Sequence, residues 1–264
     1  MLFLTPVITI YILVMAFILG AVFASFLGCM GWRITTGESV LKGRSHCDYC
    51  GHVLAWRDLI PIVSFVRGKG RCAYCKKTLS KTLLYGEITL ALLFVLVTLR
   101  YDVTPELFLY LFFVCILYLI SMTDIYGRMI PDSALIAAII LRIVWYFGTV
   151  PFSLRGFWGL AANGLSVSLP LLCLVLLMEK IRGMEMMGGG DIKLLFVMGI
   201  YLGWANNLLA LFVGCLTAII YGLIQQKKEG EEVYIPFGPF LALGAVFALL
   251  LGDGLIQWYL SLFI

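Results

Sequence analysis

"LFLYLFFVCILYLISMTD", residues 107–124, runs for seventeen residues without a charge and then ends on an aspartate. An apolar run of that length matches the roughly 17–25 residues a helix needs to cross a hydrocarbon core of about 30 Å. Working outward from it, similar windows recur near 6–32, 84–99, 105–122, 133–150, 156–178, 192–204, 206–225 and 237–262; of these, 84–99 and 192–204 are short and the last is interrupted. The chain of 264 residues is 62% hydrophobic and 13% charged, which excludes both an ordinary soluble domain and a disordered one. The expected fold class is an all-α polytopic membrane protein with about eight transmembrane helices. The first window is too long, and too poor in early positive charge, for a cleaved signal peptide, so it reads as a retained helix.

Charge sets the expected topology. Residues 33–83 hold ten of the 19 Lys and Arg and three of the 15 acids, a net of +7, which leaves −3 on the remainder. By the positive-inside rule that loop is cytoplasmic and the N-terminus outside. Counting forward through eight helices places 123–132, 179–191 and 226–235 on the cytoplasmic side as well, and the C-terminus outside. A basic loop also raises the question of nucleic acid. Beside anionic lipid it reads as a topology signal, and no nucleic-acid partner is expected.

The segment 33–83 is the one stretch outside the apolar windows that is large enough to fold, and at about 50 residues it needs a staple. "CDYCGHVLAWRDLIPIVSFVRGKGRCAYC" supplies one: Cys47 and Cys50, then Cys72 and Cys75, form two C-x-x-C knuckles 21 residues apart. That spacing suits a zinc-ribbon-like four-thiolate site. A redox pair is the rival reading, but two matched knuckles in a reducing cytoplasmic loop favour zinc. A closed four-cysteine site leaves no open coordination position, so the metal is expected to be structural. His46 and His52 flank the first knuckle and are substitute ligands on paper. Cys29, Cys115, Cys173 and Cys215 stand singly in apolar windows and read as small packing residues. The expected division is 1–32 as a first transmembrane helix, 33–83 as the cysteine loop and 84–264 as a membrane domain. The stretch "QQKKEGEE" at 225–232 reads as a solvated turn.

Carboxylates at membrane depth are expensive, so each needs a reason. Outside the basic loop they are Glu87, Asp102, Glu106, Asp124, Asp132, Glu179, Glu185, Asp191, Glu229, Glu231, Glu232 and Asp253. Asp102 and Glu106 fall in an external turn, and Glu179 and Glu185 alternate with Lys180 and Arg182 as at a wet helix end. Glu229, Glu231 and Glu232 sit in the polar loop. Asp132 follows Pro131 where a helix starts and an acid is favoured. Asp124 and Asp191 differ: each closes an apolar boundary on the same, cytoplasmic face. Two carboxylates sharing a proton supply both roles of peptide hydrolysis, one as general base on water and the other as hydrogen-bond donor to the scissile carbonyl. Gly188, Gly189 and Gly190 precede Asp191 and form a supporting loop, whose backbone is free to leave helical geometry and approach a peptide closely. A capping role for Asp191, on a helix starting at Ile192, is the plainer alternative. Asp253 in "LGDG" is a decoy, placed towards the opposite face.

These residues together resemble the bacterial type IV prepilin leader peptidase / N-methyltransferase family, GxGD-type intramembrane aspartic proteases. "GAVFASFLGCMGWRI" (20–34) resembles its first-helix signature, with Gly28 where asparagine is usual. "RSHCDYCGHVLAWRDLIPIVSF" and "GKGRCAYC" resemble its cytoplasmic zinc loop; "DIYGRMIPD" (124–132) its first aspartate motif; "GGGD" (188–191) its GxGD; and "IPFGPFLALG" (235–244) its C-terminal signature. The resemblance implies that Asp124 and Asp191 are the catalytic pair. It implies a multi-pass protein of the bacterial cytoplasmic (inner) membrane whose substrates are type IV prepilins or pseudopilins. It further implies N-methylation of the new terminus with S-adenosylmethionine as cofactor, and associates Gly70 and Arg71 with that activity. The family's Tyr-Pro after the "IS" serine is absent, since Leu83 and Leu84 stand there after Ser80. Three alternatives differ in class: a peptidase without methyl transfer, a non-enzymatic transporter with a zinc-bound docking loop, and a thiol oxidoreductase. Midplane sites between repeated halves would mark the transporter, and no halves recur here.

Overall fold

A computed structural model describes residues 5–40, 43–47, 49–149, 153–183, 187–229 and 235–263. Among these the regular structure is helical: α1 (Pro6–Thr36), α2 (Val63–Arg67), α3 (Lys81–Tyr101), α4 (Pro105–Gly127), α5 (Asp132–Thr149), α6 (Leu154–Arg182), α7 (Gly189–Leu202), α8 (Trp204–Glu229), α9 (Gly238–Phe247) and α10 (Asp253–Ser261). A 3₁₀ turn lies at Trp56–Asp58 and a π turn at Ala248–Gly252. The chain divides into two compact units, Met1–Gly127 and Arg128–Ile264.

In the first unit α1, α3 and α4 pack together. Between helices in lipid there is little hydrophobic driving force, so close backbone approach through small residues does the work. The buried face of α1 is accordingly Ala16, Gly20, Ala21, Ala24, Gly28 and Gly31, while Val14, Ile18, Val22, Phe23 and Phe26 face outward. A Cβ on Gly20 would fall 2.7 Å from the Ala91 Cα of α3. The first-helix signature is thus a packing face. Gly28 opens onto the Tyr118 hydroxyl, which is buried and has no hydrogen-bond partner among the described residues. α4 is apolar all round and carries the core in Phe113, Val114, Leu117 and Ile120.

In the second unit α7 is surrounded by α5, α6, α8 and α9, and Leu194, Leu195, Val197 and Met198 are almost wholly buried. Side chains from its neighbours bond its backbone and fix its position. The Asn207 amide of α8 donates to the Leu195 carbonyl at 3.0 Å and Arg142 of α5 to that of Ile200 at 3.2 Å. In return the Tyr201 hydroxyl donates to Ala138 at 2.8 Å. Such interhelical polar bonds are the glue that apolar packing lacks in a bilayer.

Seven helices among the described residues are long and apolar enough to cross a membrane. The expected span at 192–204 is α7, with 14 residues and hence a length of about 21 Å. It falls short of a full crossing, which its enclosure by four helices tolerates. The last window is not broken: α9 runs through the π turn into α10, and Asn206 of α8 meets Asp253 there, Nδ2 to Oδ1 at 2.8 Å. Asp253 therefore has a structural partner. The supposed turn at 225–232 is helical as far as Glu229, and the readings placed on Glu185, Glu231 and Glu232 fall outside the described residues.

Candidate active site

The cysteine loop is built from one motif used twice. In the first knuckle the Cys47 amide donates to His52 and the Gly51 amide returns to Cys47; in the second, Cys72 donates to Lys77 and Lys76 returns to Cys72. The matched fifth positions, Gly51 and Lys76, both have φ above 60°. Short antiparallel bridges, His46 with Val53 and Arg71 with Thr78, close each knuckle. The fold therefore brings together all four predicted cysteines: their Sγ atoms lie within 4.8 Å of one another, and Cys47 to Cys75 is 3.9 Å. A tetrahedral four-thiolate ion with bonds of about 2.3 Å separates its sulfurs by about 3.8 Å, so the residues fit a metal. His46 and His52 are not part of the cluster. The His46 Nδ1 lies 3.3 Å from the Arg44 carbonyl, and the His52 ring packs on Tyr74 with centroids 3.6 Å apart.

The sulfurs are not equivalent. Amide hydrogen bonds from Cys75 and Tyr74 pull the Cys72 thiol down to about 7. The His52 backbone favours the Cys50 thiolate too, but desolvation and the adjoining Cys47 and Cys75 sulfurs outweigh it and push that thiol up to about 11.

Gly70 and Arg71 lie at the turn that leads into the second knuckle. Gly70 has φ +69°, and a Cβ there would meet the Phe65 ring at 3.1 Å, so its identity follows from the turn.

Asp124 lies in the last turn of α4, only 7% exposed. A helix C-terminus carries the negative end of the dipole, so a buried carboxylate there is placed against stability. α1 closes on the preceding residues, since a Cβ on Gly31 would sit 3.1 Å from Met122, and Trp32 stacks edge-on to Tyr126 with centroids 5.5 Å apart.

Asp191 lies in the first turn of α7, in the second unit. The helix starts at Gly189 with Gly188 as its N-cap, so Asp191 is the third helical residue and not the cap of a helix starting at Ile192. None of Gly188, Gly189 and Gly190 has positive φ. Their use is close approach: a Cβ on Gly190 would press on Ile130 at 3.0 Å, and one on Gly188 would meet the Asp191 carboxylate at 3.3 Å. The sequence shows Ile130 only as the residue before Pro131 in the first motif, and its packing against Gly190 is what the structure adds; the signal is that "IPD" accompanies the aspartate without chemistry of its own. Asp132, beyond a simple helix start, holds Lys193 at 2.7 Å, both exposed, a contact worth little for stability. The pair stands at the edge of an apolar cleft of about 400 Å³ between α5, α6 and α7, lined by Leu135, Ile136, Leu165, Leu169, Ile192 and Phe196.

Gly190→Val should lower the thermal midpoint, because overpacking costs about 1–3 kcal/mol. Adding Ile130→Ala should recover part of the loss. Wild-type behaviour of Gly190→Val would refute the close-packing role.

Two family models match the chain: the bacterial peptidase A24 N-terminal domain over residues 18–101 and the type IV leader peptidase family over 111–223. A prepilin leader peptidase/N-methyltransferase of Bacillus subtilis (strain 168) is 31% identical over 249 residues, 93% of this chain and 97% of that protein. Proteins of the same name from Aeromonas salmonicida (strain A449) and Legionella pneumophila are 32% and 30% identical, over 84% and 83% of this chain and 76% of each of theirs. No solved structure matches. With a likeness that runs almost end to end, and a cysteine cluster and two aspartate motifs in the matched regions, the chain belongs to the type IV leader peptidase family.

Proposed function

We propose that this protein is a membrane aspartic endopeptidase that removes the leader from type IV prepilins or pseudopilins and then methylates the new amino terminus. The near full-length likeness to proteins named for both activities carries the reading. Asp124 and Asp191 act as the pair: the ionised carboxylate takes a proton from water as it attacks, and the protonated one donates to the scissile carbonyl. A charge shared between two close carboxylates titrates as a pair. Supporting this, each sits in a terminal turn of a helix largely buried within its own unit, and the apolar cleft beside Ile192 offers a surface for an apolar substrate segment. The four cysteines hold zinc, closed to substrate and structural. S-adenosylmethionine would supply the methyl group. The protein spans the bacterial inner membrane with the cysteine loop and both aspartates on the cytoplasmic side, because the +7 loop follows the positive-inside rule.

The test is mass spectrometry of a candidate prepilin co-expressed with this chain. Loss of the leader together with the mass of one methyl group is expected. A cleaved but unmethylated product would leave a peptidase alone, and an intact prepilin would overturn the reading.

A further inference from the structure

Glu87 lies six residues into α3, about 9 Å along the axis from Lys81, and is 3% exposed. A carboxylate at that depth in a membrane helix is costly unless something answers it. The Ile62 amide of the cysteine loop does so, donating to Oε2 at 2.7 Å, and the Ser25 side chain of α1 lies within reach of the same group. A helical side chain leans towards the N-terminus of its helix, which sets Ile62 level with the first two turns of α3. The basic ends of α3, Lys81 and Arg100, are about 28 Å apart along the axis, close to the hydrocarbon thickness of about 30 Å. Those first turns, and Ile62 with them, therefore lie at membrane depth.

The stretch around Ile62 is suited to that place. "LIPIVSFV" (59–66) carries no charge, and Leu59, Ile60, Val63 and Val66 are all exposed. So are Phe26 and Tyr85, which adjoin Ser25 and Glu87 in sequence; the apolar cluster continues the outward faces of α1 and α3. Hydrocarbon tolerates irregular backbone only where its polar groups are satisfied. Here Pro61 has no amide, Ile62 donates to Glu87, Val63 to the Pro61 carbonyl, Ser64 to Ile60 and Val66 to Ile62. Ile62 has φ +62°, which a β-branched residue adopts only when its surroundings impose it. It marks the tip where the chain reverses. Trp56 and Arg57 precede the apolar run and Arg67 and Lys69 follow it, an aromatic and basic bracket of the kind found at a membrane interface. Asp58 is taken up by the Ala55 amide at 3.1 Å and the Tyr74 hydroxyl at 3.0 Å.

We propose that residues 59–66 form a re-entrant lipid anchor. The tip at Ile62 is seated in the leaflet beside the cysteine loop, with Leu59, Ile60, Val63 and Val66 among acyl chains. Arg57, Arg67 and Lys69 meet the phosphates of anionic phospholipid. The proposal rests on α1 and α3 spanning the membrane and is independent of the cleavage and methyl-transfer chemistry. The bilayer then holds the stretch between the two knuckles, as the metal holds the knuckles themselves.

The test is photolabelling of the full-length protein in nanodiscs containing an acyl-chain diazirine phospholipid, with either a phosphatidylglycerol or a phosphatidylcholine headgroup. Adducts are located by peptide mass spectrometry. Residues 59–66 should be labelled as well as the exposed Leu92, Leu96 and Leu99 of α3, and the exposed knuckle residues Tyr49 and Val53 far less. Arg67→Ala should lower the ratio of phosphatidylglycerol to phosphatidylcholine adducts on 59–66 about fivefold, the worth of one base near an anionic surface. An unchanged ratio would overturn the headgroup contact. The double variant Val63→Asp/Val66→Asp should lose label on this stretch while α3 label and bound metal stay at the wild-type level. Labelled α3 with unlabelled 59–66 in the wild-type protein would overturn the anchor and leave the membrane reading intact, whereas unlabelled α3 would overturn both. Label on 59–66 that a prepilin peptide displaces would assign the surface to substrate, and label that appears only with a single chain per nanodisc would assign it to a second copy; either overturns the lipid assignment.

Discussion

Asp191→Asn is expected to abolish leader cleavage, by about three orders of magnitude or more, while leaving the protein folded and metal-loaded. Asparagine keeps the shape of the side chain and a polar group in the first turn of α7, where Asp191 lies. It cannot exchange the proton that general acid–base catalysis requires. Asp124→Asn should match it. The double variant should be no worse than either single one, since residues that act as one unit are not additive. Asp253→Asn should remain active, because Asp253 meets Asn206 and stands outside the proposed pair. Cleavage rates of purified protein on a prepilin peptide decide the matter. An Asp191→Asn protein that cuts at near wild-type rate would reduce Asp191 to a favourable helix-terminus charge and remove the proposed mechanism.

The parts of this molecule that were legible in the sequence are those whose physics is local. Apolar windows of bilayer length became helices because nothing within them competes. The cysteine cluster was legible because two C-x-x-C pairs have few other ways to satisfy four thiols. The departures come from contacts between residues far apart in the chain. The glycines before Asp191 suggested loosened backbone, yet the helix already includes Gly189 and Gly190, and Gly190 is small because Ile130, sixty residues earlier, lies against it. Window length suggested about eight spans, but α7 is short because it is enclosed by other helices and need not meet lipid along its length. Glu87 received no reading from the sequence, because its partner, the Ile62 amide at 2.7 Å, is one that no spacing rule pairs with it.

Cys72→Ser or Cys47→Ser should strip the metal and unfold the cysteine loop. The loop has little else to hold it: Trp56, Val63 and Val66 are exposed, and among the described residues the helical structure between α1 and α3 is one 3₁₀ turn and a five-residue helix. The two knuckles are short hydrogen-bonded turns, and among the loop's described residues only Cys47 and Cys72 are buried, so binding free energy of the ion becomes folding free energy, about 10–16 kcal/mol in small zinc modules. Metal content should fall from about one ion per chain to a small fraction of that, since a hydroxyl is a poor replacement for thiolate. Acidity should act in the same direction. Metal binding expels thiol protons, so affinity rises with pH. It should keep climbing from about 7, where Cys72 ionises, to about 11, where Cys50 does, and fall more steeply below 7 as Cys72 also takes up a proton. Methylation should suffer at least as much as cleavage in the serine variants, because the family resemblance ties methylation to this loop, whereas Asp124 and Asp191 lie on helices outside it. Full zinc content in both variants, measured by atomic absorption, would refute the four-thiolate assignment. Loss of zinc with methylation intact and cleavage gone would instead show that the loop serves the peptidase.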